Sequence, residues 1–153
     1  GMSIKRWWRG HGFGVHSPFA FRFITEVLRC DSGYAYYAYD ELKRQWMSAP
    51  SGERMPWRRM AAIYRVGVRF APAPVALRGD DPYGLASAAI AMASGSADIP
   101  AEDAVVSVWA DITTGGWPEA VSAMKRGMSF SDGHIGIIVA DCKLPLHHYE
   151  VRL

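Results

Sequence analysis

The sequence predicts an α/β protein in which a helical N-terminal part precedes a small sheet, with parallel strands first and antiparallel strands at the end. Three observations carry that expectation. Helix signals dominate up to Phe70, and Pro72 and Pro74 then stop them. From Val75 onward, a short apolar strand, a glycine turn and an alanine-rich helix follow one another, as in a β-α unit of a parallel sheet. Near the end, Ser131-Asp132-Gly133 separates two apolar runs, the pattern of a β-hairpin.

The elements follow in order. Trp7 to Val15 is glycine-rich and aromatic, and Gly10, Gly12 and Gly14 argue against a regular helix. Ser17-Pro18 is a helix start, with Ser17 as N-cap and Pro18 in the first turn. Phe19, Phe23, Ile24, Val27 and Leu28 then recur at helical spacing until Asp31-Ser32-Gly33. Tyr34 to Met47 reads as a second helix and Ser48 to Glu53 as a loop. Pro56 opens a third helix, whose stripe Met60, Ile63, Tyr64 and Val68 is expected opposite its arginines. Val75 to Leu77 is a strand, Gly79 to Pro82 a turn, and Tyr83 to Ser94 a helix of small residues. Ala104 to Ala110 is apolar enough for a strand covered on both faces. Trp117-Pro118 opens a helix to Arg126; Met128 to Phe130 and Ile135 to Val139 form the hairpin; His147 to Leu153 alternates as a last strand. The chain is expected to be one domain, 1–153, with a mainly helical part over 1–72 and a reduced α/β core over 73–153.

Bulk properties bound the function. With 153 residues, 50% hydrophobic and 21% charged, the chain has the composition of an ordinary globular domain that needs no staple. Two cysteines without a CxxC argue against a disulfide framework and for a reducing compartment. Gly1 before Met2 reads as a processing scar, and the basic start lacks the apolar run of a secretory signal. No window approaches the ~20 apolar residues of a membrane span, so a cytoplasmic location without membrane partners is expected. The net charge of +2 dictates no partner, although Arg54, Arg58, Arg59, Arg65 and Arg69 cluster before the first strand. Spread over a helix, such a cluster ordinarily forms a solvated face.

The segment richest in chemistry is Leu77-Arg78-Gly79-Asp80-Asp81-Pro82-Tyr83-Gly84. A glycine turn after a first strand lets a nucleotide-type cofactor approach the backbone, and the next helix presents its positive end. Gly79, Asp80, Asp81 and Gly84 are therefore the candidate cofactor-binding residues. The carboxylates would repel a phosphate but accept hydrogen bonds from a ribose or a cationic group. On residue chemistry alone, a plain strand-to-helix turn capped by Asp81 accounts for the segment better.

The stretch Gly10-His11-Gly12-Phe13-Gly14-Val15-His16-Ser17-Pro18-Phe19-Ala20-Phe21, followed by the tyrosines of 34–39, resembles the opening of a bacterial methyltransferase-like family. Its members carry a His-Gly-x-His-Ser-Pro-Phe opening ahead of a class I S-adenosylmethionine-dependent methyltransferase domain. Met60 to Phe70, Val75 to Leu77, Gly79 to Ser87, and the tail from Gly136 to Val139 and Leu144 to Tyr149 are similar as well. The resemblance implies a truncated Rossmann-like sheet and S-adenosylmethionine as cofactor, without a metal. The departures are equally concrete. Leu77 or Arg78 stands where the family has an acidic residue, the turn is one residue longer, and 95–104 leaves no room for the middle strands. Val105 to Ile112 with Trp117 to Arg126 looks like the fifth strand and its helix.

The other chemistry-bearing residues point less far. Asp98, Glu102, Asp103 or Asp111 could substitute for the missing ribose carboxylate, and His11, His16 and His134 could serve as bases, but structural roles fit them better and no catalytic residue is assigned. Arg9 to Val15 echoes an RNA-recognition strand, yet that motif belongs inside a sheet, so nucleic acid is not the expected partner. Adjacent His147 and His148 point to opposite faces of a strand, which argues against a zinc site with Cys142. Trp7, Trp8, Phe13 and Phe19 form an aromatic arm suited to self-association as a homo-oligomer. The expectation is a methyltransferase-like protein with lost or weakened cofactor binding, an S-adenosylmethionine-dependent methyltransferase through Gly79 to Gly84 if active and a pseudoenzyme if not; the alternative is a non-catalytic association module, as a homo-oligomer or with a partner.

Overall fold

The computed structural model describes residues 17–29, 36–95, 99–100 and 104–153. The aromatic arm except Phe19, His11, His16, Cys30, the 31–33 helix stop, Asp98, Glu102 and Asp103 lie outside the described residues.

Helix α1 spans Pro18–Arg22 and starts as its sequence dictates: Ser17 Oγ accepts the Ala20 N–H at 3.3 Å, with Pro18 in the first turn. It runs on into a wider π turn, Phe23–Leu28, in which the Arg29 N–H reaches back five residues to the Ile24 carbonyl. Helices α2 (Tyr36–Ser48) and α3 (Trp57–Phe70) follow. Then come strand β1 (Val75–Arg78), helix α4 (Leu85–Ser94), strand β2 (Val106–Trp109) and helix α5 (Trp117–Ala123). Strands β3 (Met128–Ser131), β4 (Gly136–Val139) and β5 (His147–Glu150) close the chain.

The fold is mixed α/β, with one five-stranded sheet of order β1-β2-β4-β3-β5. β1 and β2 are parallel, and β4 runs antiparallel to both β2 and β3, so the Asp-Gly turn does close a hairpin. β5 pairs with β3 in parallel, against the expectation of an antiparallel end. The loop after β4 returns beside the start of β3, where the Gly127 N–H donates to Leu144 and the His147 N–H to Gly127. That places the first residue of β5 next to the first residue of β3, and the two strands must then run the same way. Side-chain alternation has period two in either direction, so it carries no such information.

Register sorts the sheet into two faces. Val75, Val106, Val139 and Met128 share one face with Leu77, Val108, Ile137, Phe130 and Tyr149. These residues join the helices in a single apolar core; Phe23 of the π turn lies 4.7 Å from Phe130, which stacks on Tyr149 at 5.3 Å. Each large side chain so buried contributes about 1.5–3 kcal/mol. The opposite face carries Ala76, Ser107, Ile138, Ser129 and His148, then Trp109 and Gly136. Trp117 of α5 lies on that face, 5.1 Å from Trp109 and over Gly136, where any β-carbon would strike its ring.

Helix α3 departs from its expected stripe. It is buried from Met60 to Gly67, Arg65 included, because α2, α4 and the π turn all pack on it, whereas Val68 is exposed. Gly67 lets α4 approach, since a β-carbon there would stand 2.6 Å from that of Ala93. Among the described residues, no helix is long and apolar enough to cross a membrane.

Candidate functional site

Because β1, β2, β3 and β5 point the same way and β4 the opposite way, four carboxyl ends and the start of β4 meet along one sheet edge. Open α/β sheets place ligands at such an edge. A cavity of about 440 Å³ lies there, lined by the turn after β1, the loop before α3, Asp111 after β2 and His134 before β4.

The turn after β1 is spent largely on holding itself. Gly79 has φ +75°, and a β-carbon on it would stand 2.5 Å from the Asp111 carbonyl oxygen. The same is true of Gly115, whose β-carbon would meet the Gly79 amide nitrogen at 2.5 Å. The two glycines thus let the turns after β1 and β2 lie against each other. The Asp80 N–H donates to Thr114 Oγ1 at 2.7 Å, and the Gly84 N–H donates to the Asp81 carbonyl at 3.0 Å. The Asp81 carboxylate accepts from the Ala86 and Ser87 amides at 3.1 and 2.9 Å, at the positive end of α4. Gly84, at φ +67°, is the N-cap residue, so Asp81 caps α4 from three residues further back.

The four candidate cofactor residues are therefore together but do different work. Asp80 and Asp81 line the cavity, Gly79 is consumed by the contact between the two turns, and Gly84 sets the helix start. Asp111 also lines it, as a carboxylate that accepts from the Thr113 hydroxyl at 2.7 Å and the Thr113 N–H at 2.9 Å. Those bonds, hydroxyl first, hold its carboxyl below the usual range against partial desolvation, with a smaller contribution from His134. Of the histidines weighed as bases, His134 is the one within the described residues, and it lines this cavity.

Other residues converge from parts of the chain that sequence reading treated as loop or helix. The Tyr83 hydroxyl donates to Glu53 at 2.8 Å, which pushes the phenol's pKa up. Arg59 of α3 reaches across 73 residues to Asp132 of the hairpin turn at 2.5 Å, with Asp132 nearly buried. The other oxygen of Asp132 receives the amides of His134 and Ile135 at 2.9 and 2.8 Å and so shapes the cavity wall. Arg54 stacks 3.6 Å from the Trp46 ring centroid and donates to two backbone carbonyls. The Asp-Gly pair was visible in the sequence as a turn; nothing local marks its partner.

The balance of charge is acidic. Glu53, Asp80, Asp81 and Asp111 line the cavity against Arg54 and Arg59, and Arg59 is already matched by Asp132. Such a wall suits a cationic or hydroxyl-rich group and disfavours phosphate. Among the described residues, no three His, Cys, Asp or Glu side chains are placed to hold a metal ion. On the far sheet face Ser129 Oγ lies 2.7 Å from Nδ1 of His148, whose pKa is lowered by burial and then by His147.

Comparison of the chain with protein-family models, with curated proteins and with solved structures finds no match.

Proposed function

We propose that the protein is a methyltransferase-like domain in which S-adenosylmethionine binding is lost or weakened, acting without catalysis. The observation that carries this reading is the state of the turn after β1. Four backbone donors, those of Asp80 and Gly84 in the turn and of Ala86 and Ser87 in the first turn of α4, are satisfied by Thr114, by the Asp81 carbonyl and by the Asp81 carboxylate. A cofactor turn works by offering such donors, with the positive end of the helix, to its ligand. Here a fixed carboxylate already occupies that position, and the glycine that should admit the cofactor is pressed against Asp111. These residues do not fit the cofactor in the manner the resemblance implies, and no step of methyl transfer is derived from them.

The order of the later strands supports the ancestry. Two parallel strands, then an antiparallel strand inserted before the next parallel one, suit a Rossmann-like methyltransferase sheet with its middle strands removed. The association reading keeps one observation of its own. An apolar recess beside Ser17, walled by Phe19, Leu144, Pro145 and Leu146, could seat another chain.

Calorimetric titration with S-adenosylmethionine and its demethylated product tests the proposal. We expect no heat and no thermal stabilisation at millimolar ligand. Micromolar binding that is weakened by Asp80→Ala or Tyr83→Ala would overturn it and restore an enzyme reading. Gly79→Leu is a poor control, because its β-carbon would collide with Asp111 whatever is bound.

A further inference from the structure

A second cavity, of about 710 Å³, lies on another side of the first turns of α3. Among the described residues, four ionisable side chains line it, and all four are arginines: Arg29, Arg58, Arg65 and Arg152. They come from three separate parts of the chain, and Trp57 forms part of the wall.

Arg65 is the anomaly. It is 4% exposed, and its guanidinium donates to the carbonyls of Val27 and Leu28 at 2.6 and 3.0 Å and to the Tyr39 hydroxyl at 3.3 Å. These bonds close the carboxyl end of the π turn, but every acceptor is neutral. Buried charges are ordinarily paired with an opposite charge. Among the described residues, Arg65 has no carboxylate partner. Around it the positive charge accumulates. Arg58 donates from Nε to an oxygen of Leu153, the last residue, at 2.6 Å. Arg152 faces Arg29 closely enough to lower its pKa further, after burial has lowered it first. Lys43 adds another cation, 5.7 Å from the centroid of the Trp57 ring.

We infer that this cavity binds a phosphate-bearing anion, with guanidinium groups of Arg58 and Arg152 on its oxygens and the buried charge of Arg65 behind them. Guanidinium forks match phosphate oxygens in pairs, and an anion with two or more charges would relieve the mutual repulsion of the cluster. Two sources share this chemistry. One is a free inorganic anion; the other is an organic diphosphate whose remaining part rests on Trp57.

Calorimetric titration with inorganic pyrophosphate at low salt is the test, with ADP as the second arm. Binding is expected to weaken about tenfold or more in Arg152→Ala and in Arg58→Ala, and to fall with rising salt. Arg44→Ala removes the same charge from an exposed pair with Glu41 elsewhere and should leave the affinity unchanged. Tighter binding of ADP than of pyrophosphate assigns the organic source, and equal binding assigns the free anion. No heat at millimolar pyrophosphate would overturn the inference. So would an equal loss of affinity in Arg44→Ala, because the attraction would then belong to net charge and not to the cavity.

Discussion

The two cavities that flank the start of α3 have opposite characters, although adjacent residues of one helix line them. Arg59 turns toward the sheet edge and is neutralised by Asp132; its neighbour Arg58 turns to the second cavity, with an oxygen of Leu153 as its bonded partner. At the sheet edge, carboxylates outnumber arginines, and two of them, Asp81 and Asp111, are tied to local N–H and O–H donors. Among the described residues, the side chains lining the second cavity include no carboxylate, and Arg58 there meets an oxygen of the last residue, Leu153. The lesson is that a net charge of +2 conceals a segregated distribution. A carboxylate committed to backbone donors shapes a wall, whereas arginines gathered from three parts of the chain leave a positive field.

The largest test of this contrast is Asp132→Ala. It removes the partner of the largely buried Arg59 and the acceptor for two amides, so a loss of about 3–5 kcal/mol in unfolding free energy is expected. Urea denaturation measures it, and a loss under 1 kcal/mol would mean that Arg59 finds another partner at the acidic edge. Next comes Asp81→Ala, which takes the cap from α4. Its expected cost is about 1 kcal/mol by the same method. It should also free the Ala86 and Ser87 amides, so any weak binding of an anion at this edge should rise in the variant. Unaltered stability would show that the carboxylate is not needed for the helix start.

The smallest effect is one of pH. The folded-state pKa of Asp111 is lowered, so its contribution is fully present above the unfolded value of about 3.9 and is lost as pH falls through the lower folded value. Thermal melts between pH 5 and pH 3 should fall less steeply for Asp111→Asn than for the parent chain. Identical slopes would mean that the Thr113 bonds do not persist in solution.

Much of this architecture was legible along the chain. Ser17-Pro18 starts its helix because a hydroxyl and a fixed φ act within one turn. The Asp-Gly hairpin closes for similarly local reasons. Val75 to Leu77 and Val106 to Trp109 are strands because sustained apolar runs need cover on both faces. The candidate site was legible in part: Asp80 and Asp81 do face the cavity, but Gly79 proved to be a packing residue. No local pattern shows that one glycine turn will lie against another 36 positions later, at Gly115.

The sequence by itself determined the helix starts, the turns, most of the strands and the stock of arginines, because those depend on neighbours within a few residues. Only the tertiary structure decided that β5 runs parallel to β3, that Arg65 is buried while Val68 is exposed, and which arginine meets a carboxylate. Those outcomes rest on contacts between residues distant in the chain. Periodicity and capping are silent about such contacts, and charge is matched or left unmatched only when the chain has closed on itself.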